Sequence, residues 1–136
     1  MSEALYQQAI MDLAKDDSHV GPLKTSDAAA TRDNPLCGDR VTMEFQKSED
    51  GETLKTVAHH VKGCALCKAS AALVSRQAEG KKRKDVEAFK QSLENLLAGH
   101  VEQNPELAIF SLARHHKSRH DCLRLPIDAL LDALKD

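Results

Sequence analysis

Apolar residues recur every three or four positions at both ends of the chain and alternate every second position in a stretch between them. Near the start, Leu5, Ala9 and Leu13 repeat at four-residue spacing with Tyr6 and Ile10 beside them. This predicts an amphipathic helix over about residues 3–15. Residues 16–35 are poor in apolar side chains and carry Gly21, Pro22, Asn34 and Pro35, so they read as a loop holding one short strand. Val41, Met43 and Phe45 then alternate with Arg40, Thr42, Glu44 and Gln46, the period-two signature of a strand with one wet face. Ser48-Glu49-Asp50-Gly51 reads as a hairpin turn, followed by a second strand over about 53–61 through Leu54, Val57 and Val61.

Beyond Gly63 the period becomes helical. Ala65, Ala69, Ala72 and Leu73 mark a helix over about 64–78, with Gly80 as its stop. Val86, Phe89, Leu93, Leu96 and Leu97 mark a third, ending near Gly99. A short helix is expected over 106–114, with Asn104 as cap and Pro105 in its first turn. Leu123, Ile127, Leu130, Leu131 and Leu134 line the last helix, where Pro126 is tolerated only if it falls in the first turn. The order predicts an α+β fold. A small antiparallel sheet of about three strands packs with an N-terminal helix and C-terminal helices, as one domain over 1–136.

Composition narrows the function. The chain has 136 residues, enough for a core without disulfides or a structural metal as staples. Aromatics are 3% and Trp is absent, so that core is aliphatic. A formal net charge of -2 argues against nucleic acid as the partner. The basic run from Lys81 to Lys84 falls between helical patterns and reads as a solvated turn. No apolar run is long enough to span a membrane, and the amphipathic N-terminus lacks the form of a secretory signal. A cytoplasmic setting follows, in which four cysteines stay reduced and serve metal binding or catalysis more often than disulfides.

Three places carry chemistry. Cys37 and Asp39 lie two apart around Gly38, in a turn that enters a strand. There a thiolate and a carboxylate can share one face as zinc ligands, or the segment is an ordinary turn with a buried cysteine. Cys64 stands at a strand-to-helix junction, where exposed backbone N–H groups and the helix dipole favour thiolate. Cys67, three residues on, completes a CxxC spacing with three readings: a redox pair, half of a zinc knuckle, or a small apolar residue packed under the helix. Cys122 again precedes or opens a helix, with His115, His116 and His120 crowding the segment before it. His120 is the histidine kept as a further possible ligand.

Three segments together resemble the iron–sulfur cluster assembly scaffold family, which includes the IscU and SufU proteins and the N-terminal domain of NifU. They are Asn34-Pro35-Leu36-Cys37-Gly38-Asp39-Arg40, then Gly63-Cys64 with Ala69-Ser70-Ala71, then Cys122 with Leu125 and Asp128-Ala129-Leu130. The resemblance implies that Cys37, Asp39, Cys64 and Cys122 gather at one exposed end. There they receive sulfur from a cysteine desulfurase and bind iron or a [2Fe–2S] cluster, or hold zinc in the resting protein. Cys122 and Cys64 are the expected persulfide acceptors, and recipient apo-proteins or carriers are the expected onward partners. The resemblance implies a scaffold or sulfur carrier with sulfurtransferase character more than an enzyme in the strict sense. The spacing from Cys64 to Cys122 and the position of Arg119 are closer to SufU than to IscU, whereas Asp121 stands where IscU members carry a histidine. A structural zinc protein and a thiol oxidoreductase using Cys64 and Cys67 remain the alternatives.

Overall fold

Three antiparallel strands form the sheet in the order β1–β2–β3: β1 is Ala28–Asn34, β2 Asp39–Lys47 and β3 Leu54–Lys62. The computed structural model describes residues 3–35, 38–100 and 104–135. Cys37, expected as a ligand, lies outside the described residues. In β2 the alternation holds as expected, with Val41, Met43 and Phe45 all buried. The register sets Met43 opposite His59 and Phe45 opposite Val57, so the buried face continues across β3. The turn between them closes as the Asp-Gly signal requires: the Ser48 N–H donates to the Thr53 carbonyl and the Asp50 carboxylate accepts from the Glu52 N–H.

Helices cover the sheet. They are α1 (Glu3–Ala14), α2 (Ala65–Ala78), α3 (Arg83–Leu97), a 3₁₀ helix (Pro105–His115) and α4 (Lys117–Leu134). α4 lies over β1 and β2, and α2 packs on β3; α1 rests on α2, and α3 on α4. The core is aliphatic, as the composition requires: Leu73, Leu93, Leu96, Leu123, Ile127 and Leu130 are all buried between these elements. No helix among the described residues is long and apolar enough to cross a membrane.

Several boundaries differ from expectation. The segment after Asn104 is 3₁₀ rather than α, although Asn104 caps it as expected, its side chain accepting from the Glu106 N–H at 3.1 Å. β1 is the strand expected within the loop of residues 16–35, and it runs for seven residues. It is an edge strand, and its exposed side chains, Ala29, Thr31, Arg32 and Asp33, leave little apolar pattern to read.

The largest difference is at α4. It starts at Lys117, about two turns before the first member of its apolar stripe. Pro126 is therefore inside the helix, not in its first turn, and has no N–H to offer the carbonyl four residues back, that of Cys122. Beside that interruption the Ser70 hydroxyl, on α2, donates to the Leu123 carbonyl at 2.8 Å. A bond between helices thus stands where the ladder within α4 is broken, and it fixes α4 to α2 at the height of Cys122.

Candidate metal and thiol site

Asp39 opens β2 on the same face as Val41 and Met43 and is 2% exposed. A carboxylate at that depth needs partners. The backbone N–H of Cys64 donates to its Oδ1 at 3.1 Å, and the Cys64 thiol donates to Oδ2 at 3.5 Å. The approach is possible because residue 63 is glycine. A Cβ on Gly63 would lie 2.3 Å from Asp39 Oδ1 and 2.6 Å from its Cγ. Gly63 therefore acts by leaving space. Gly38 works differently: its φ of +76° forms the turn into β2, and a Cβ there would meet nothing within 4 Å.

Cys64 is the N-cap of α2, as the strand-to-helix junction predicts, and its Sγ accepts from the Cys67 N–H at 3.4 Å. The side chain is half-buried. Cys122 reaches the same place from α4 and is 2% exposed. The expectation that it opens a helix is corrected: it is the sixth residue of α4, beyond the first turn where the dipole acts. Packing, not a helix end, places this thiol.

Asp39, Cys64 and Cys122 offer ligand atoms that all lie within 4.8 Å of one another. They line a cleft of 530 Å³ together with Gly38, Lys62, Gly63, Ser118 and Arg119. Zinc–sulfur bonds are about 2.3 Å and zinc–carboxylate bonds about 2.0–2.2 Å, so the span suits ligands of one ion with small adjustments. Two thiols and one carboxylate fit zinc or iron by chemistry. Lys62 and Arg119 bring positive charge to the lining, which offsets anions gathered in the cleft.

Among the described residues the metal-capable group does not include His120 or Cys67. Cys67 is fully buried in the core beneath the start of α2, in keeping with a packed apolar residue. His59 is buried too, its Nδ1 2.9 Å from the Ser75 hydroxyl, which ties β3 to α2. Burial first, and then the nearby His19 imidazole, push its pKa down to about 4, so it is neutral at physiological pH. The sequence reading missed three contributors: the space left by Gly63, the cationic lining from Lys62, and the Ser70 bond to α4. Only the first had a visible signal, a glycine directly before a cysteine at a strand end.

Comparison with known proteins gives a consistent result. The family model described as NifU-like N-terminal domain matches residues 5–136. The zinc-dependent sulfurtransferase SufU of Bacillus subtilis is 32% identical over 79 residues, covering 58% of this chain and 52% of that protein. This match thus spans about half the length of SufU. The iron–sulfur cluster assembly scaffold protein IscU of Thermotoga maritima is 26% identical over 134 residues, covering 96% of this chain and 93% of that protein. In structure, a NifU-like protein (N-terminal) from Brucella abortus superposes with a TM-score of 0.87 at 27% identity, covering 98% of this chain and 95% of that one. SufU of Fervidobacterium islandicum gives 0.86 at 26% identity, covering 99% and 100%.

Proposed function

The chain belongs to the NifU-like N-terminal domain family of iron–sulfur cluster scaffolds, and from that premise we propose that it accepts sulfur from a cysteine desulfurase on Cys64. Metal is held between Asp39, Cys64 and Cys122, with Cys37 as the fourth ligand. The observation that carries the reading is the convergence of three ligand atoms within 4.8 Å at one open cleft.

Cys64 is the better acceptor of the two described site thiols, because it is half-buried where Cys122 is 2% exposed. Its thiolate attacks the terminal sulfur of a persulfide on the desulfurase. The donor S–S bond breaks as the bond to Cys64 forms, and the donor cysteine leaves as thiolate with the electron pair. Lys62 and Arg119 line the cleft that the incoming persulfide crosses. Zinc, when bound, keeps both sulfurs as thiolates and lowers their mutual repulsion. Iron or a [2Fe–2S] cluster is cargo for the same donors, bound for recipient apo-proteins or carriers. Asp39 is a harder, weaker ligand for such a cluster than a thiolate, which keeps the cargo transferable.

The test is incubation with a cysteine desulfurase and cysteine under anaerobic conditions, followed by peptide mapping of the added sulfur. The sulfur is expected on Cys64, with acceptance lost in Cys64→Ser. A Cys64→Ser protein that takes up as much sulfur as the wild type would overturn the assignment.

A further inference from the structure

We propose that Cys67 is a resolving thiol for sulfur carried on Cys64: it displaces that sulfur as hydrogen sulfide and leaves a Cys64–Cys67 disulfide. The inference rests on the reading of Cys64 as the sulfur acceptor and adds a step after it.

Cys64 and Cys67 occupy the N-cap and third helical positions of α2. Cα atoms three residues apart in a helix lie about 5 Å apart; with Cys64 the extended cap and Cys67 in the first turn, the pair is spaced near the range of roughly 4.4–6.8 Å that a disulfide requires. Helical side chains lean back toward the N-terminus, so the Cys67 side chain leans toward the turn that Cys64 caps. The Cys64 sulfur already sits on the Cys67 backbone N–H at 3.4 Å.

The two ends of a Cys64 persulfide meet different surroundings. The sulfur bonded to the Cys64 Cβ is the one next to Cys67. Cys64 also lines the cleft, which has room for the outer sulfur beside Lys62 and Arg119. Cys67 is fully buried, so thiols in solution do not compete for it. Among the described residues it is also outside the group that Asp39, Cys64 and Cys122 form.

The step balances internally. The Cys67 sulfur attacks the inner sulfur of Cys64–S–SH, a new S–S bond forms between the cysteines, and the bond to the outer sulfur breaks. The outer sulfur leaves with the electron pair and, taking the Cys67 proton, departs as hydrogen sulfide. It is reduced from sulfane to sulfide while the two cysteine sulfurs are oxidised to disulfide. No outside reductant enters this step, and a low-molecular-weight or protein dithiol is needed afterwards to reopen the pair. The product is sulfide released inside a cleft lined by metal ligands.

The experiment uses the full chain as purified, under anaerobic conditions, with glutathione persulfide as donor. After removal of excess donor, released sulfide is followed with time, and the cysteines are alkylated and mapped by mass spectrometry. In the wild type, sulfide release is expected to match the appearance of a Cys64–Cys67 disulfide. In Cys67→Ala and Cys67→Ser, Cys64 is expected to keep its added sulfur roughly tenfold longer. Retention of the persulfide by the wild type for as long as by these variants overturns the proposal and leaves Cys64 as acceptor intact. A disulfide from Cys64 to Cys122, or the added sulfur found on Cys67, also overturns it. The wild-type map decides this even if a variant folds poorly. If Cys64 takes no sulfur, the acceptor reading falls and this one with it.

Discussion

Cys64 and Cys122 deliver the same chemical group to one cleft by opposite means. Cys64 is set by backbone: it ends a loop, caps α2 and holds Asp39 through its own N–H, all within a few residues of Gly63. Cys122 is set by packing: it rides on α4, whose neighbours Leu123 and Leu130 are 0% exposed against the sheet and α2. The first half of the site is therefore sensitive to single-atom crowding and indifferent to the distant core. The second half has the reverse sensitivity.

The larger stability effect is expected on the packing side. Leu123→Ala empties a fully buried position beside Cys122 and is expected to cost about 2–5 kcal/mol in urea unfolding. On the backbone side, Gly63→Ala places a methyl 2.3 Å from Asp39 Oδ1. It should lower zinc affinity roughly a hundredfold in chelator competition, with the urea midpoint changed far less than in Leu123→Ala. Equal effects of the two changes on both readouts would erase the distinction.

Acid sharpens the picture at the junction between the halves. His59 ties β3 to α2 and has a folded pKa of about 4, below the ordinary value of 6.5. The unfolded chain therefore binds the proton first as pH falls. Stability is expected to be intact above about 6.5 and to decline toward 4, by on the order of 2 kcal/mol. The check is urea unfolding at several pH values, with the slope in that window flattened in His59→Gln. The smallest effect is expected from Ser70→Ala, which removes the donor to the Leu123 carbonyl. A cost of about 1 kcal/mol should appear together with a weaker hold on Cys122.

Which parts were legible in the sequence follows from the same division. Val41, Met43 and Phe45 announce β2 because one face is buried and the other wet, and Asp39 enters on their face by simple alternation. Cys64 was legible because a glycine and a change of period mark the helix start. α4 was legible only in its apolar half: Lys117, Ser118, Arg119, His120 and Asp121 carry no stripe, so Cys122 reads as a helix start when it lies in the second turn. β3 alternates poorly because Val57, Ala58 and His59 are buried in succession, His59 by its bond to Ser75. That partner sits sixteen residues away and leaves no local signal. The convergence of Asp39, Cys64 and Cys122 was legible through the three segments as a set, because tertiary contact is what joins them.

The most direct measurement is a chelator-competition zinc titration of the wild type beside Cys64→Ser and Cys122→Ser. If one ion is shared by a backbone-built and a packing-built ligand, both variants should lose at least about tenfold in affinity, with folding retained by circular dichroism. Unchanged affinity in either variant would contradict the shared site.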